Sequence, residues 1–324
     1  MVEPLRSLGL DAKTSGVEQS SRGGYRKLPG LPKNEEIVEK ERCMKLGVIV
    51  PQKEIGLDAG ALRAFAQGAE QLGYDHLVAF DSVFTDNPYH EPLALFAFLA
   101  GCTNRIELVT GVIVAPSRQT LLLAKQATSV DVLSQGRLRL GLGVGWNRAE
   151  FRAMRAEYAQ RGDQIEEQIS VLRALWTQPV VTFEGKWHTL VEAHQSPLPV
   201  QRPIPIWLGG DAEAVLQRIG RQGDGWIPVG MDPTDPATYD QLQGQITRLQ
   251  GYASAAGRPP EAVAIEAQSG VRLQGGGEQS WAQHAAAWRM LGATHLSVET
   301  MGVGLATPEA HLEALRQIKG VIAT

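Results

Sequence analysis

The sequence is poor in cysteine, in excess positive charge and in long apolar runs, and each shortage removes a class of protein. Two cysteines, Cys43 and Cys102, in 324 residues cannot build a disulfide framework or a metal cluster. Their scarcity fits a reducing cytoplasm, the expected location. No apolar run approaches the roughly 20 residues that a membrane span needs. The formal net charge is −4, which argues against general affinity for nucleic acid. The 7 histidines show no HExxH pair or other metal-ligand spacing, so no metal is expected. A nucleophile elbow and an ordered Ser/His/Asp set are missing too.

What remains is ordinary in bulk and ordered in detail. Hydrophobic residues make up 43% and charged residues 20%, the balance of a soluble globular protein. The length suffices for one large domain with a sizeable core. Residues 1–43 stand apart. They are polar, aperiodic, and include SSRGGYRKLPGLPKNEE, a composition that cannot bury enough apolar area to offset ordering. The stretch lacks the continuous apolar core of a signal peptide. It is expected to be a disordered extension or the product of a misassigned start codon. Met44 then opens KLGVIVP, the expected start of a folded domain over 44–324.

From there strands and helices alternate. Lys45 to Val50 reads as a strand ended by Pro51. Asp58 to Leu72 reads as a helix with an Asp cap and a glycine stop at Gly73. His76 to Phe80 is the second strand and Pro92 to Cys102 a helix, with Cys102 as a small core residue. The most ordered stretch runs from Arg105 to Phe151. Ile106 to Ile113 is β-branched and apolar, as a strand buried on both faces would be. Leu121, Leu122, Ala124, Ala127, Val130 and Leu133 recur at helical spacing and predict a buried helix face. Arg137 to Leu142 is the fourth strand, with Arg137 expected to pair with an acid at the core edge. Strands over 205–208, 225–229, 262–267 and 295–299 each precede a helix. Eight strand–helix units imply a (β/α)8 barrel; a doubly wound sheet, with fewer strands, is the alternative. Gln178 to Leu198 interrupts the alternation. Its VVTFEGKWHTL reads as a hairpin turning at Glu184-Gly185, an insertion between strands four and five.

In such barrels ligands bind where strands end and loops begin. Three strand ends there are bare backbone or nearly so: Thr110-Gly111-Val112, Gly143-Val144-Gly145-Trp146, and Gly209-Gly210-Asp211. Gly143-x-Gly145-Trp146 lets a flat ligand approach the backbone beside an indole wall, or serves tight helix–strand packing. It is not a dinucleotide fingerprint, because the third glycine and the following acid are missing. Gly209-Gly210-Asp211 places free N–H groups at a helix start, which suits an anion, or is a turn that needs glycine for its dihedrals. Asp81 follows the second strand directly. It could accept a hydrogen bond from a ligand or cap its own loop. Arg148 could approach a ligand's acidic tail. An enzyme with no metal site and no nucleophile must bring a cofactor that carries the chemistry.

KLGVIVPQ, TGVIVAPSRQTLLLAKQATSVDVLSQGRLRLGLGVGWNRAEF and IPIWLGGDAEAVLQRIGRQGDGWIPVG, in that order along the chain, resemble the luciferase-like monooxygenase superfamily. The resemblance runs from Met44 to the C-terminus. It is closest to the deazaflavin branch that uses coenzyme F420. The resemblance implies a barrel that binds F420, or alternatively FMN, at the carboxyl ends of its strands. It implies a non-prolyl cis peptide at Gly111–Val112 that backs the reactive ring, with Thr110, Gly111 and Val112 in contact with it. Gly143, Val144, Gly145 and Trp146 would border the cofactor's side chain. Gly209, Gly210 and Asp211 would hold its phosphate, and Asp81 would stand near the ring edge as the catalytic acid. Many deazaflavin members carry His after that acid; this chain has Ser82, which cannot relay protons as imidazole does. The role would then pass to Glu91, His90 or Glu150. The expected reaction is hydride transfer to or from a small organic substrate, in a pocket walled by Phe84, Tyr89, Trp146 and Trp187. An FMN-dependent monooxygenase and a non-catalytic flavin-binding protein are the alternatives. Relatives pair through helices near strands two and three, so a homodimer is the expected assembly.

Overall fold

Residues 46–49 are apolar and buried on both faces, and β1 (Lys45–Ile49) accordingly runs with parallel neighbours on both edges. The computed structural model describes residues 44–273 and 277–323; the expected extension over 1–43 lies outside the described residues. After a short α1 (Gln52–Ile55), α2 (Ala59–Gln71) starts at Asp58, whose side chain accepts from the amides of Gly60 and Ala61. Then come β2 (His76–Ala79), α3 (Pro92–Ala100), β3 (Glu107–Thr110), β4 (Ile113–Val114), α4 (Thr120–Leu133), β5 (Leu138–Gly143), α5 (Arg148–Ala153) and α6 (Arg161–Thr177). The hairpin β6 (Val181–Glu184) and β7 (Thr189–Ala193) follows. The chain continues through β8 (Ile206–Gly209), α7 (Glu213–Gln222), β9 (Gly225–Ile227), α8 (Pro236–Ala255), β10 (Ala264–Arg272), α9 (Glu278–Met290), β11 (His295–Glu299) and α10 (Pro308–Ile322).

The sheet order is β3-β2-β1-β11-β10-β9-β8-β5, and β3 pairs with β5 to close the ring. All these pairings are parallel. The result is a (β/α)8 barrel whose strand ends converge on one mouth. The inserted β6–β7 hairpin is a separate antiparallel pair outside the barrel. Its turn closes through the Gly185 amide on the His188 carbonyl, at 2.9 Å. Glu167 on α6 anchors it, accepting from the amides of Lys186 and Trp187 and from His188 Nδ1 at 2.7–2.9 Å.

Four expectations change. The continuous strand Ile106–Ile113 is two strands, because the chain leaves the ladder at Gly111-Val112, a cis peptide, and re-pairs as β4 alongside the end of β5. Of the face expected on α4, Ala124, Ala127 and Val130 are buried, but Leu121, Leu122 and Leu133 are exposed, and Leu123, Thr120, Thr128 and Asp131 are buried in their place. Polar docking explains the rotation: Asp131 accepts from the amides of Val200 and Gln201 and from the Gln201 side chain, so its buried charge is fully bonded. Arg137 hydrogen-bonds no acid among the described residues, although the charge of Glu70 acts on it. Its guanidinium donates to the carbonyls of Ala100, Thr103, Ile106 and Ser134, closing the loop after α3. Cys102 is only partly buried.

Candidate active site at the barrel mouth

The floor of the mouth is Thr110-Gly111-Val112. Thr110 is fully buried, and its hydroxyl donates to the Gly141 carbonyl while accepting from the Gly141 amide, both at 2.8 Å. That ties the end of β3 to the middle of β5. The Gly111 amide donates to Ala79 and its carbonyl accepts from Gln268 Nε2, each at 2.8 Å. Gln268 can reach across because β10 bulges between Ala267 and Val271. A side chain at 111 would run into Gln268 and Val78, so only glycine fits.

Val112 then projects over the strand ends. A Cβ at Gly143 would lie 2.6 Å from Val112 Cγ2, and one at Gly209 3.0 Å from Cγ1. Three segments predicted independently, around residues 110–112, 143–146 and 209–211, therefore meet around one valine. They leave a surface of backbone and small side chains on which a flat ring can lie.

Beyond Gly143 the chain turns through Gly145, which has φ +72° and whose Cβ would strike Val114 and Phe151. Asn147 caps α5, accepting from the amides of Ala149 and Glu150. The loop is braced from outside. Arg161 Nε donates to the Gly145 carbonyl at 3.1 Å and the Tyr158 hydroxyl to the Trp146 carbonyl at 3.2 Å. Tyr158 is sandwiched between the guanidinium groups of Arg148 and Arg161, at 4.3 and 3.8 Å. Val144 packs partly into the core, whereas the Trp146 indole is 84% exposed.

At the end of β8 the Gly210 amide is already engaged, donating to Ile227 at 3.2 Å. Gly210 has φ +127°, which turns the chain outward into α7. α7 begins at Ala212 with no side-chain cap. Among the described residues no acceptor meets the amides of Asp211 and Ala212. The free donors for an anion thus sit at Asp211 and the first turn of α7 rather than on Gly210.

Asp81 is committed to the protein. Its Oδ1 accepts from Arg118 Nη2 at 2.8 Å and its Oδ2 from the Val114 amide at 3.1 Å, and its side chain is 2% exposed. It holds the segment after the cis bond in place. Arg118 also reaches Glu91, at 2.8 Å, and Glu91 caps α3 through the Ala94 amide. The His90 side chain bonds the Gly56 carbonyl at 2.6 Å. Glu150 differs from these. It is buried, and its Oε1 has no hydrogen-bond partner. Burial, and then the charge of Asp81, push its carboxyl above the usual range against the pull of Arg118. Ser82, next after Asp81 in the chain, is partly exposed.

The rim is apolar. Val83, Phe84, Trp146 and Val229 stand 51–84% exposed on the loops after β2, β5 and β9. Inside them Tyr89 meets Phe80 edge-on at 6.2 Å over the small cluster of Ile49, Val78, Val109 and Met301. Burial raises the Tyr89 phenol's pKa, with Glu299 and Glu54 adding to it. Trp187 is held in the hairpin turn by its amide on Glu167, not by any contact with Phe84, Tyr89 or Trp146 among the described residues.

The family model for luciferase-like monooxygenases matches residues 44–318. The chain belongs to the luciferase-like monooxygenase family. It is 32% identical over 208 residues to an uncharacterised protein of Mycobacterium tuberculosis, covering 58% of this chain and 70% of that one. It is 26% identical over 202 residues to the FMNH2-dependent dimethylsulfone monooxygenase of Pseudomonas putida, covering 60% and 54%. An F420-dependent secondary alcohol dehydrogenase, solved with an F420–acetone adduct, superposes with a TM-score of 0.71 at 14% identity, over 86% of this chain and 99% of that one; at that identity the likeness is one of fold. Members of this family are flavin- or F420-dependent oxidoreductases and monooxygenases. Gln268 stands at the end of a strand in the sequence, but neither its bond to Gly111 nor that of Arg118 to Asp81 is marked there; a bulge and a 37-residue separation bring them about.

Proposed function

We propose that the chain is an F420-dependent oxidoreductase that moves a hydride between the deazaflavin ring and a small, hydrophobic organic substrate. The observation that carries the reading is the convergence of Gly143 and Gly209 on Val112, which leaves a platform that any added Cβ would fill. When bound, the deazaflavin supplies hydride donation or acceptance at its ring; the protein supplies the rest. Thr110, Gly111 and Val112 back the ring, and Gly143, Val144, Gly145 and Trp146 border its side chain. The amides at Asp211 and the start of α7 take the phosphate. Asp81 acts through Arg118 and Val114 as a positioning residue. Glu150 holds the proton that Ser82 cannot relay, because its buried carboxyl favours the neutral form. Phe84, Trp146 and Val229 give an apolar substrate a surface to cover.

FMN is the second reading, favoured by the FMNH2-dependent relative in Pseudomonas putida. Reduced FMN activates oxygen readily, so the cofactor decides between dehydrogenase and monooxygenase chemistry. The test is to purify the protein from a host that makes both cofactors and identify what co-purifies by absorbance and mass. Recovery of F420 is expected. Recovery of FMN alone would overturn the F420 assignment and leave the monooxygenase reading.

A further inference from the structure

Past the glycines of the mouth, α5 carries a row of arginines without acid partners. Arg148 is its first residue and Arg152 follows one turn later. Arg155 comes just after the helix, tied to it by its amide on the Arg152 carbonyl at 3.1 Å. All three side chains are exposed. Among the described residues none of their guanidinium groups donates a hydrogen bond or lies at ion-pair distance from a carboxylate; the one contact is the stacking of Arg148 on Tyr158, at 4.3 Å. Arg161 stacks on the same ring at 3.8 Å and donates only to the carbonyls of Gly145 and Tyr158. Elsewhere the exposed arginines Arg221, Arg248, Arg272 and Arg316 each pair with a glutamate.

The acids of the same segment do not offset the row. Glu150 is buried and feels Asp81 and Arg118 instead. Glu157 accepts from the Ala159 amide, and Asp163 acts on Arg218. Counting Glu157 and Asp163 in full against Arg148, Arg152, Arg155 and Arg161 leaves two positive charges, and ionising Glu150 as well would still leave one. Helix stability does not explain the arrangement. Arg148 stands at the positive end of the α5 dipole, where a cation is disfavoured. Arg148 and Arg152 are like charges at i and i+4, which repel. The row starts two residues beyond Trp146, on the loop proposed to border the cofactor's side chain, and so leads outward from the mouth.

We propose that this row binds a chain of carboxylates that runs along α5 from the barrel mouth. Guanidinium forks match carboxylate geometry, and the Tyr158 ring holds two of them in place. The carboxylates come either from the side chain of the bound cofactor, which rests on the cofactor reading above, or from a separate oligocarboxylate, which does not.

End-blocked tri-L-glutamate is the probe and end-blocked tri-L-glutamine its uncharged control, followed at low salt through the arginine Nε–Hε NMR signals. Wild-type protein is expected to bind triglutamate, with shifts at Arg148 and Arg152, and to release it at high salt. Arg152→Gln combined with Arg155→Gln removes two charges that make no side-chain bond in the fold, so its thermal midpoint should match wild type. Triglutamate binding should weaken about fivefold in it. Triglutamate no better than triglutamine, or undiminished in the double variant, would overturn the proposal. Titrations with F420, whose side chain ends in carboxylates, and with FMN, which ends at its phosphate, separate the two sources. Weakening of F420 alone in the double variant identifies the chain as the cofactor's own; unchanged F420 affinity identifies a separate molecule. Binding of neither cofactor would contradict the reading of the mouth and leave the triglutamate result standing.

Discussion

Glu150 and Asp81 are two carboxyl groups that feel the same arginine, Arg118, and their surroundings give them opposite work. Asp81 has a bond on each oxygen. Asp81→Asn should cost about 2–3 kcal/mol in chemical denaturation, below the usual loss for a broken buried pair because Glu91 remains on Arg118. It should also lower the Glu150 pKa, since the charge of Asp81 helps to raise it. For Glu150 the sign follows from the raised folded value. Above the ordinary 4.5 the unfolded chain releases this proton while the folded protein keeps it, so stability falls with pH until the folded pKa is passed. Glu150→Gln removes that dependence. Its stability relative to wild type should rise across this window in denaturant midpoints taken from pH 4 upward; a constant difference would show that Glu150 ionises normally. Asp81 was visible in the sequence as a carboxylate at a strand end, but its partner was not, because Arg118 comes from the far side of a chain break that no periodicity marks.

The break between β3 and β4 sets Val112 against the ends of β5 and β8. Val112 fills the space that Gly143 leaves, so the two positions should be coupled. Gly143→Ala places a Cβ 2.6 Å from Val112 Cγ2 and should destabilise by about 1–3 kcal/mol. Adding Val112→Ala should recover part of that loss, with a coupling of about 0.5–3 kcal/mol in a double-mutant cycle; strict additivity would mean that the two elements do not touch. Gly141→Ala is harsher, because its Cβ would fall 1.9 Å from the backbone carbonyl of Thr110, and it should prevent soluble expression. Most elements were legible: β11 spans the predicted 295–299, and α8 and α10 follow their strands as predicted. The split strand was not, since Ile106 to Ile113 is apolar throughout and the bend depends on a hydrogen bond from Gln268, 157 residues away. The face of α4 was legible at Ala124, Ala127 and Val130 and misread at its leucines, for a related reason. Apolar spacing selected Leu121, Leu122 and Leu133, whereas buried bonds to Asp131 and Thr120 set the rotation.

Across the whole barrel, the buried ionic layer at the N-terminal end makes stability depend on acid. Burial and neighbouring cations hold the His295 imidazole at about 2, and burial holds His311 below its usual value. As pH falls below 6.5 the unfolded chain gains protons at both that the folded protein refuses, so stability decreases. Below about 4.5 Glu266 adds to the loss: burial opposes its charge, but His76 and Arg139 keep the carboxyl well below the usual range. Denaturant midpoints should therefore drop steadily from pH 7 to pH 5, by up to about 1.4 kcal/mol per pH unit for each histidine. His295→Asn should flatten that slope, and an unchanged slope would remove His295 from the explanation. The same barrel presents its glycine-lined platform at the opposite end, and that platform carries the functional reading. Its most direct test is an equilibrium titration of the protein with F420 and with FMN, beside Gly210→Asp, which puts a negative charge next to the phosphate donors. Submicromolar binding of F420 is expected, weakened about 100-fold, or about 2.7 kcal/mol, in the variant, titrated well below the thermal midpoint that the left-handed backbone at 210 should lower in any non-glycine variant. Binding of neither cofactor by the wild-type protein, or undiminished binding by Gly210→Asp, would contradict it.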